Sequence, residues 1–124
     1  MTMVLPFPPS TNTYWRSVPG KGVLISEKGR QYRSAVQALA LSQAWPKFGE
    51  KRLQVAIEAW MPDKRRRDLD NLLKATLDAL THAGVWDDDS QIDMLTIERA
   101  PLVGGMLKVQ VWEHARDAAL LVVR

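Results

Sequence analysis

The segment Arg67-Asp68-Leu69-Asp70-Asn71-Leu72-Leu73-Lys74 puts two carboxylates and an ammonium within eight residues, and Asp87-Asp88-Asp89 adds three consecutive carboxylates downstream. Carboxylate oxygens are hard ligands. With no His or Cys beside them, the ions they suit are Mg2+ or, as a substitute, Mn2+. A calcium EF-hand does not fit, because the central glycine of such a loop is absent whether the count starts at Asp87 or at Asp89. Immediately before Asp68 runs Lys64-Arg65-Arg66-Arg67, four cations in a row. Carboxylates that hold a divalent cation beside phosphate-seeking residues suggest phosphodiester chemistry. The ion lowers the pKa of a bound water and offsets charge on the scissile phosphate. Lys74 is then suited to stabilise the charge of the pentavalent transition state.

Each piece also has a plain structural reading. Asp68 as an N-cap, Asp70 in a first turn and an Asp70–Lys74 pair four residues apart are ordinary features of a helix start. Three adjacent aspartates after a helix end can be a solvated loop. They sit, however, at the negative end of the helix dipole and repel one another, so they ask for solvent or a cation.

The elements that must position these groups follow from periodicity. From Asp68 to Ala83, Leu69, Leu72, Leu73, Leu77 and Leu80 form one stripe, with Gly84 as a C-cap, which predicts a helix. About fifteen helical residues span only ~22 Å. Ile92–Arg99 alternates as a strand. If that strand neighbours the helix start, it brings Asp89 beside Asp68 and Asp70. A second helix is predicted from Glu27 to Trp45, N-capped by Ser26 and ended by Pro46. Strands are predicted over residues 2–7, briefly over 22–26, over Leu53–Met61 and over Leu107–Trp112. Gly104-Gly105 suggests a hairpin between the last two strands. Residues 10–22 read as a loop, and 115–124 as a short helix or an apolar segment that packs on a partner. The expected fold class is α+β, in the order β(β)αβαββ, with two main helices on one face of a mixed sheet.

Composition bounds the rest. The chain has 124 residues, 46% hydrophobic and 25% charged, which fits one domain over residues 1–124 and excludes a collagen, a coiled coil or a disordered chain. Cysteine is absent, which removes disulfides, thiolate metal sites and a cysteine nucleophile. No run approaches the ~18 apolar residues of a membrane span, so a membrane partner is not expected. The proline-rich N-terminus lacks a basic signal region, so the expectation is an unprocessed cytoplasmic protein. Charge is split: residues 1–67 carry a net +8 and residues 68–124 a net −5. A basic half suggests a polyanionic partner. Asn12, Tyr14, Arg16 and Lys21, with Trp15, form a basic and aromatic stretch suited to nucleic acid by stacking and phosphate contact. Trp45, Trp60 and Trp112 read as core or interface, and His82 and His114 as isolated histidines. No glycine-rich phosphate loop and no GxSxG signature is present.

Taken together, the run Met61 to Ala75 with its D-x-D-N-x-x-K core, then Asp78-Ala79-Leu80, then Ala83 to Gln91, resembles the RusA family of Holliday-junction resolvases, often encoded by phages and prophages. Pro8 to Asn12 and Ser26 to Gly29 resemble it too, and the likeness extends to about Glu113. The resemblance implies a Mg2+-dependent endonuclease that acts as a homodimer and makes paired nicks in a four-way junction. It places the catalytic aspartates on Asp68, Asp70 and Asp89, the three metal ligands, and the catalytic lysine on Lys74. Asp88 falls on a neighbouring acidic position, and Asp87 departs from the family pattern. Lys64, Arg65, Arg66, Arg67, Arg16 and Lys21 are the expected backbone contacts on branched DNA, with Asn12 and Tyr14 beside them. Two rival readings are a non-catalytic junction-binding protein from a decayed prophage and an acidic-loop adaptor. The intact aspartates and lysine argue against the first, and the basic half against the second.

Overall fold

The computed structural model describes residues 2–114. Along the chain lie β1 (Thr2–Pro6), α1 (Thr11–Tyr14), β2 (Trp15–Val18), β3 (Gly22–Ile25), α2 (Glu27–Ser42) and β4 (Leu53–Trp60). A 3-10 turn (Leu69–Leu72) leads into α3 (Leu73–His82); a second (Asp89–Gln91) leads into β5 (Ile92–Arg99), and β6 (Met106–Glu113) follows. The main sheet has the order β1-β6-β4-β5. β4 is parallel to β5 and antiparallel to β6. β2 and β3 form a separate two-stranded ribbon.

Strict alternation makes this a one-sided sheet. Leu53, Val55, Ile57 and Ala59 of β4 are buried, as are Met3 and Leu5 of β1 and Leu107, Val109 and Val111 of β6. Tyr32 and Val36 of α2 and Ala75, Ala79 and Leu80 of α3 join them in one core. Removing these side chains from water is the main term holding the layers together, at roughly 25 cal/mol per Å² of apolar area. The α+β class with helices on one sheet face is therefore as the pattern predicts.

Several local expectations change. β5 and β6 are not a hairpin: they flank β4 on opposite sides. Their connection crosses the end of β4, where the amides of Gly104 and Gly105 donate to the Met61 carbonyl at 2.8 and 3.1 Å. Glycine suits both positions: Gly105 takes a left-handed φ of 71°, and a Cβ on Gly104 would crowd Trp60 Cβ at 3.1 Å. β4–α3–β5 is instead a crossover joining parallel strands, the connection such a pair requires. α2 ends at Ser42, three residues before Trp45 and short of Pro46, because Ala44 takes a left-handed φ of 49° and the Trp45 amide returns to the Ala40 carbonyl. The end of α3 is as expected: Gly84 has φ 82°, its amide bonds the Thr81 carbonyl, and Val85 bonds Leu80. That is the Schellman arrangement. Residues 10–22 are more ordered than a loop, holding α1 and β2. The reading of 115–124 lies outside the described residues. Among the described residues no helix is long and apolar enough to cross a membrane.

Candidate active site and nucleic-acid interface

Asp68 directly precedes the first 3-10 turn, in the N-cap position, yet its side chain makes no capping hydrogen bond. Asp70 lies within that turn and Lys74 in the first turn of α3, and all three side chains are exposed. The helix expected from Asp68 thus begins at Leu73. A 3-10 turn has about 3.0 residues per turn, so Asp70 and Lys74 do not stand in the register of one continuous α-helix. Among the described residues neither forms an ion pair.

The acidic loop divides its carboxylates between two tasks. Asp88 caps the second 3-10 turn, accepting from the Ser90 amide at 3.0 Å, while Gln91 Oε1 accepts from the Asp88 amide at 2.9 Å. Hydrogen bonds from Ser90 hold the Asp88 carboxyl below its ordinary range. Gln91 is buried and its amide nitrogen also donates to the carbonyls of Gly49 and Lys51 at 2.8 and 2.7 Å. The D-x-x-Q spacing is a capping-box signal that could have marked Gln91 as the anchor. Asp89 is left exposed. It shares an open groove of about 340 Å³ with Lys74, Asp88, Trp15 and Asp78.

Asp68 lies on a second, larger groove of about 800 Å³, with Arg65, Arg66, Arg67, Asn71 and Lys28. Among the described residues no three carboxylate, imidazole or thiol groups gather closely enough to hold one ion. The donors match a hard cation in chemistry, being exposed carboxylates, but Asp68, Asp70 and Asp89 do not form a ready-made chelate.

The four cations also divide. Arg67 grips Asp63 with both terminal guanidinium nitrogens, Nη1 and Nη2, and lies over the Phe7 ring at 5.8 Å. The Arg67 guanidinium, helped by the Arg65 amide, holds the Asp63 carboxyl at about 2. The Arg67 carbonyl accepts from Arg99 at 2.7 Å. Arg65 keeps a side chain 82% exposed, and Arg66 is exposed. Lys64 is exposed and lines a separate groove of about 540 Å³ with Arg65 and Arg99. Asn12, Arg16 and Lys21 are exposed, the last at the turn of the β2–β3 ribbon. Lys28, on α2, is the basic-groove residue that sequence reasoning missed; only the three-dimensional closure of α2 on the Arg65–Arg67 loop marks it.

Tyr14 is a correction. The sequence places it at the nucleic-acid contact, but it is fully buried and its hydroxyl donates to Asp78. Arg33 holds the same carboxylate through Nε at 2.7 Å and Nη2 at 3.1 Å. Burial opposes ionisation of Asp78, yet the bonds from Arg33 and Tyr14 outweigh it and hold the carboxyl below its ordinary range. Its contribution to stability is therefore full above about pH 4 and is lost as pH falls through the lowered folded value. Burial first, then the bond to Asp78, pushes the Tyr14 hydroxyl well above its usual value.

Arg66 and Arg67 should separate by phenotype. Arg66→Ala is expected to weaken binding to any DNA and reduce the salt slope by ~1, with little change in melting temperature. Arg67→Ala should lower the melting temperature, because it removes the two-pronged hold on Asp63, leaving only Arg65, and the cation over Phe7. Salt-series binding and thermal unfolding of both variants decide this. Equal salt slopes for the two would contradict the division.

Residues 6–112 match the family model described as Endodeoxyribonuclease RusA. A protein named crossover junction endodeoxyribonuclease rusA from Enterobacteria phage HK97 is 46% identical over 111 residues, covering 89% of this chain and 92% of that protein. The protein of that name from Escherichia coli K12 is 41% identical over 118 residues, 94% of this chain and 97% of the relative. One from Enterobacteria phage 82 is 40% identical over 116 residues, 93% and 96%. The matches define a DNA-cleaving hydrolase. The chain belongs to the RusA family of endodeoxyribonucleases.

Proposed function

We propose that this protein resolves four-way DNA junctions by paired, Mg2+-dependent phosphodiester hydrolysis, acting as a homodimer. The observation that carries the reading is that Asp68, Asp70 and Asp89 are exposed and committed to no cap or ion pair among the described residues, with Asp68 on the basic groove and Asp89 in the groove of Lys74, in a chain whose relatives bear the crossover-junction name. An aspartate kept out of caps and pairs is available to a ligand. Asp88 and Asp63, by contrast, are spent on local structure.

In this reading Arg65, Arg66, Lys28 and Lys64 bind phosphates of the arms, Arg16 and Lys21 extend the contact along the ribbon, and Asn12 of α1 adds to it at the ribbon's stem. Asp68, Asp70 and Asp89 would hold Mg2+, with Mn2+ as a substitute. When bound, the ion lowers the pKa of water and offsets phosphate charge. Lys74 shares a groove with Asp89 and donates to a phosphate oxygen as negative charge accumulates. A junction presents two symmetry-related strands, so two equal sites related by a two-fold axis match it. β5 is an edge strand with Met94 and Leu95 exposed, and the sheet face away from the helices exposes Trp112, which leaves surface for a second copy. Light scattering should return about twice the chain mass.

In this reading Mg2+ draws Asp68, Asp70 and Asp89 together on the folded chain and not on the unfolded one, so it should raise the melting temperature of the wild-type protein modestly. The shift should vanish when Asp68, Asp70 and Asp89 are all changed to Asn. Thermal unfolding across a Mg2+ titration checks this, and identical responses from the two proteins would remove the ion from these aspartates.

A further inference from the structure

The β2–β3 ribbon stands apart from the main sheet, since β2 and β3 pair only with each other. It exposes Arg16 and Lys21, and also the apolar Val23, at 67%, and Leu24. A ribbon with no sheet neighbour owes its placement to its stem. Ser26 fixes the stem to α2: its amide and its hydroxyl both donate to the Tyr14 carbonyl at 2.9 Å. Gly29 allows that approach, since a Cβ there would lie 2.6 Å from the Tyr14 oxygen. Tyr14 then ties the stem to α3 through Asp78, four residues beyond Lys74, and Arg33 of α2 locks the same carboxylate from the other side. Trp15, the first ribbon residue, stands edge-on to Tyr14 with ring centroids 5.0 Å apart and lines the groove of Lys74 and Asp89.

We propose that Tyr14, Asp78 and Arg33 form a positioning clamp that indexes the β2–β3 ribbon, as a DNA-contacting arm, to Lys74 and Asp89. This rests on the nuclease reading given above. Two-stranded ribbons read DNA grooves, and apolar side chains can part base steps, so this ribbon has the shape and chemistry for a duplex arm or branch point. The clamp residues act through the arm. Their role is to keep a strand gripped by Arg16 and Lys21 in register with the cutting groove.

The test uses Tyr14→Phe, which keeps the ring and its packing, and Arg33→Gln as a second variant. Backbone hydrogen exchange over residues 15–25 should rise about 10-fold, as for loss of one hydrogen bond to a charged group, while β4 and β6 keep wild-type protection. The single-turnover cleavage rate at saturating protein should fall about 10- to 100-fold, the cost of a small misplacement, with junction affinity nearly unchanged. In an Arg16→Ala, Lys21→Ala background, Tyr14→Phe should cost nothing further, because the arm no longer holds DNA. Faster exchange with an unchanged rate would make the contacts merely structural and overturn the clamp. So would unchanged exchange, or a full additive loss in the arm-deficient background. A wild-type protein that cuts no branched DNA would instead overturn the nuclease reading, and the positioning role with it.

Discussion

Asp70→Asn is expected to lower junction cleavage by at least about 10³-fold while junction affinity stays level or tightens, the scale of losing a group that stabilises transition-state charge. Asp70 is exposed, with no ion-pair partner among the described residues, so the isosteric change leaves the 3-10 turn intact. It removes a hard oxygen ligand and a charge that repels phosphate. Asp68→Asn and Asp89→Asn should behave alike. A further control separates function from capping at Asp68. Loss of a capping aspartate costs ~1 kcal/mol, but Asp68 makes no cap bond, so Asp68→Ala should melt close to wild type. The measurements are single-turnover rate, junction affinity and thermal unfolding. Full cleavage by any one of the Asn variants at saturating Mg2+ would remove that residue from the site.

Lys74→Ala should cost roughly 10²-fold in single-turnover rate, with binding little changed. Lys74 is exposed in the groove it shares with Asp89, among the described residues it makes no ion pair, and a positive charge there matters most when the phosphate carries extra negative charge. A general phosphate contact behaves differently: Arg65→Ala or Arg66→Ala should weaken binding and flatten its salt dependence, yet leave the rate at saturating protein near wild type. Measuring rate and affinity for the three variants across a salt series distinguishes the roles. If Lys74→Ala loses binding in proportion to rate, while the arginine variants lose rate alone, the assignment is reversed.

What could be read from the chain was mostly local. The alternation of Leu53 to Ala59 identifies a one-sided strand because a strand shows successive side chains to opposite faces. Ser26 and Gly84 mark helix ends because caps use neighbouring residues, and both are seen. Alternation does not say which strand lies beside which, so the register that sets β5 parallel to β4 was hidden, and Gly104-Gly105 suggested a hairpin instead. Leucine spacing over 69–80 fits a helix from Asp68 onward, and it does not distinguish one α-helix from a 3-10 turn followed by one.

The candidate site divides in the same way. Residue type and spacing picked out Asp68, Asp70, Lys74, Asp89 and the cation run. Which of these remain available depended on partners. Asp63 claims Arg67, Ser90 claims Asp88, and Asp78 claims Tyr14 from 64 residues away. A basic-aromatic stretch gives no hint that its tyrosine turns inward, because the carboxylate it meets lies on another element. Lys28 was invisible for the same reason.

The most direct test is a synthetic four-way junction with two opposing strands end-labelled, incubated with saturating protein in Mg2+ or in EDTA, beside the linear duplex of the same sequence. Symmetrically placed nicks in both labelled strands of the junction, only with Mg2+, and no comparable cutting of the duplex are expected. Cleavage that persists in EDTA, or that proceeds equally on the linear duplex, would contradict a metal-dependent, junction-selective nuclease.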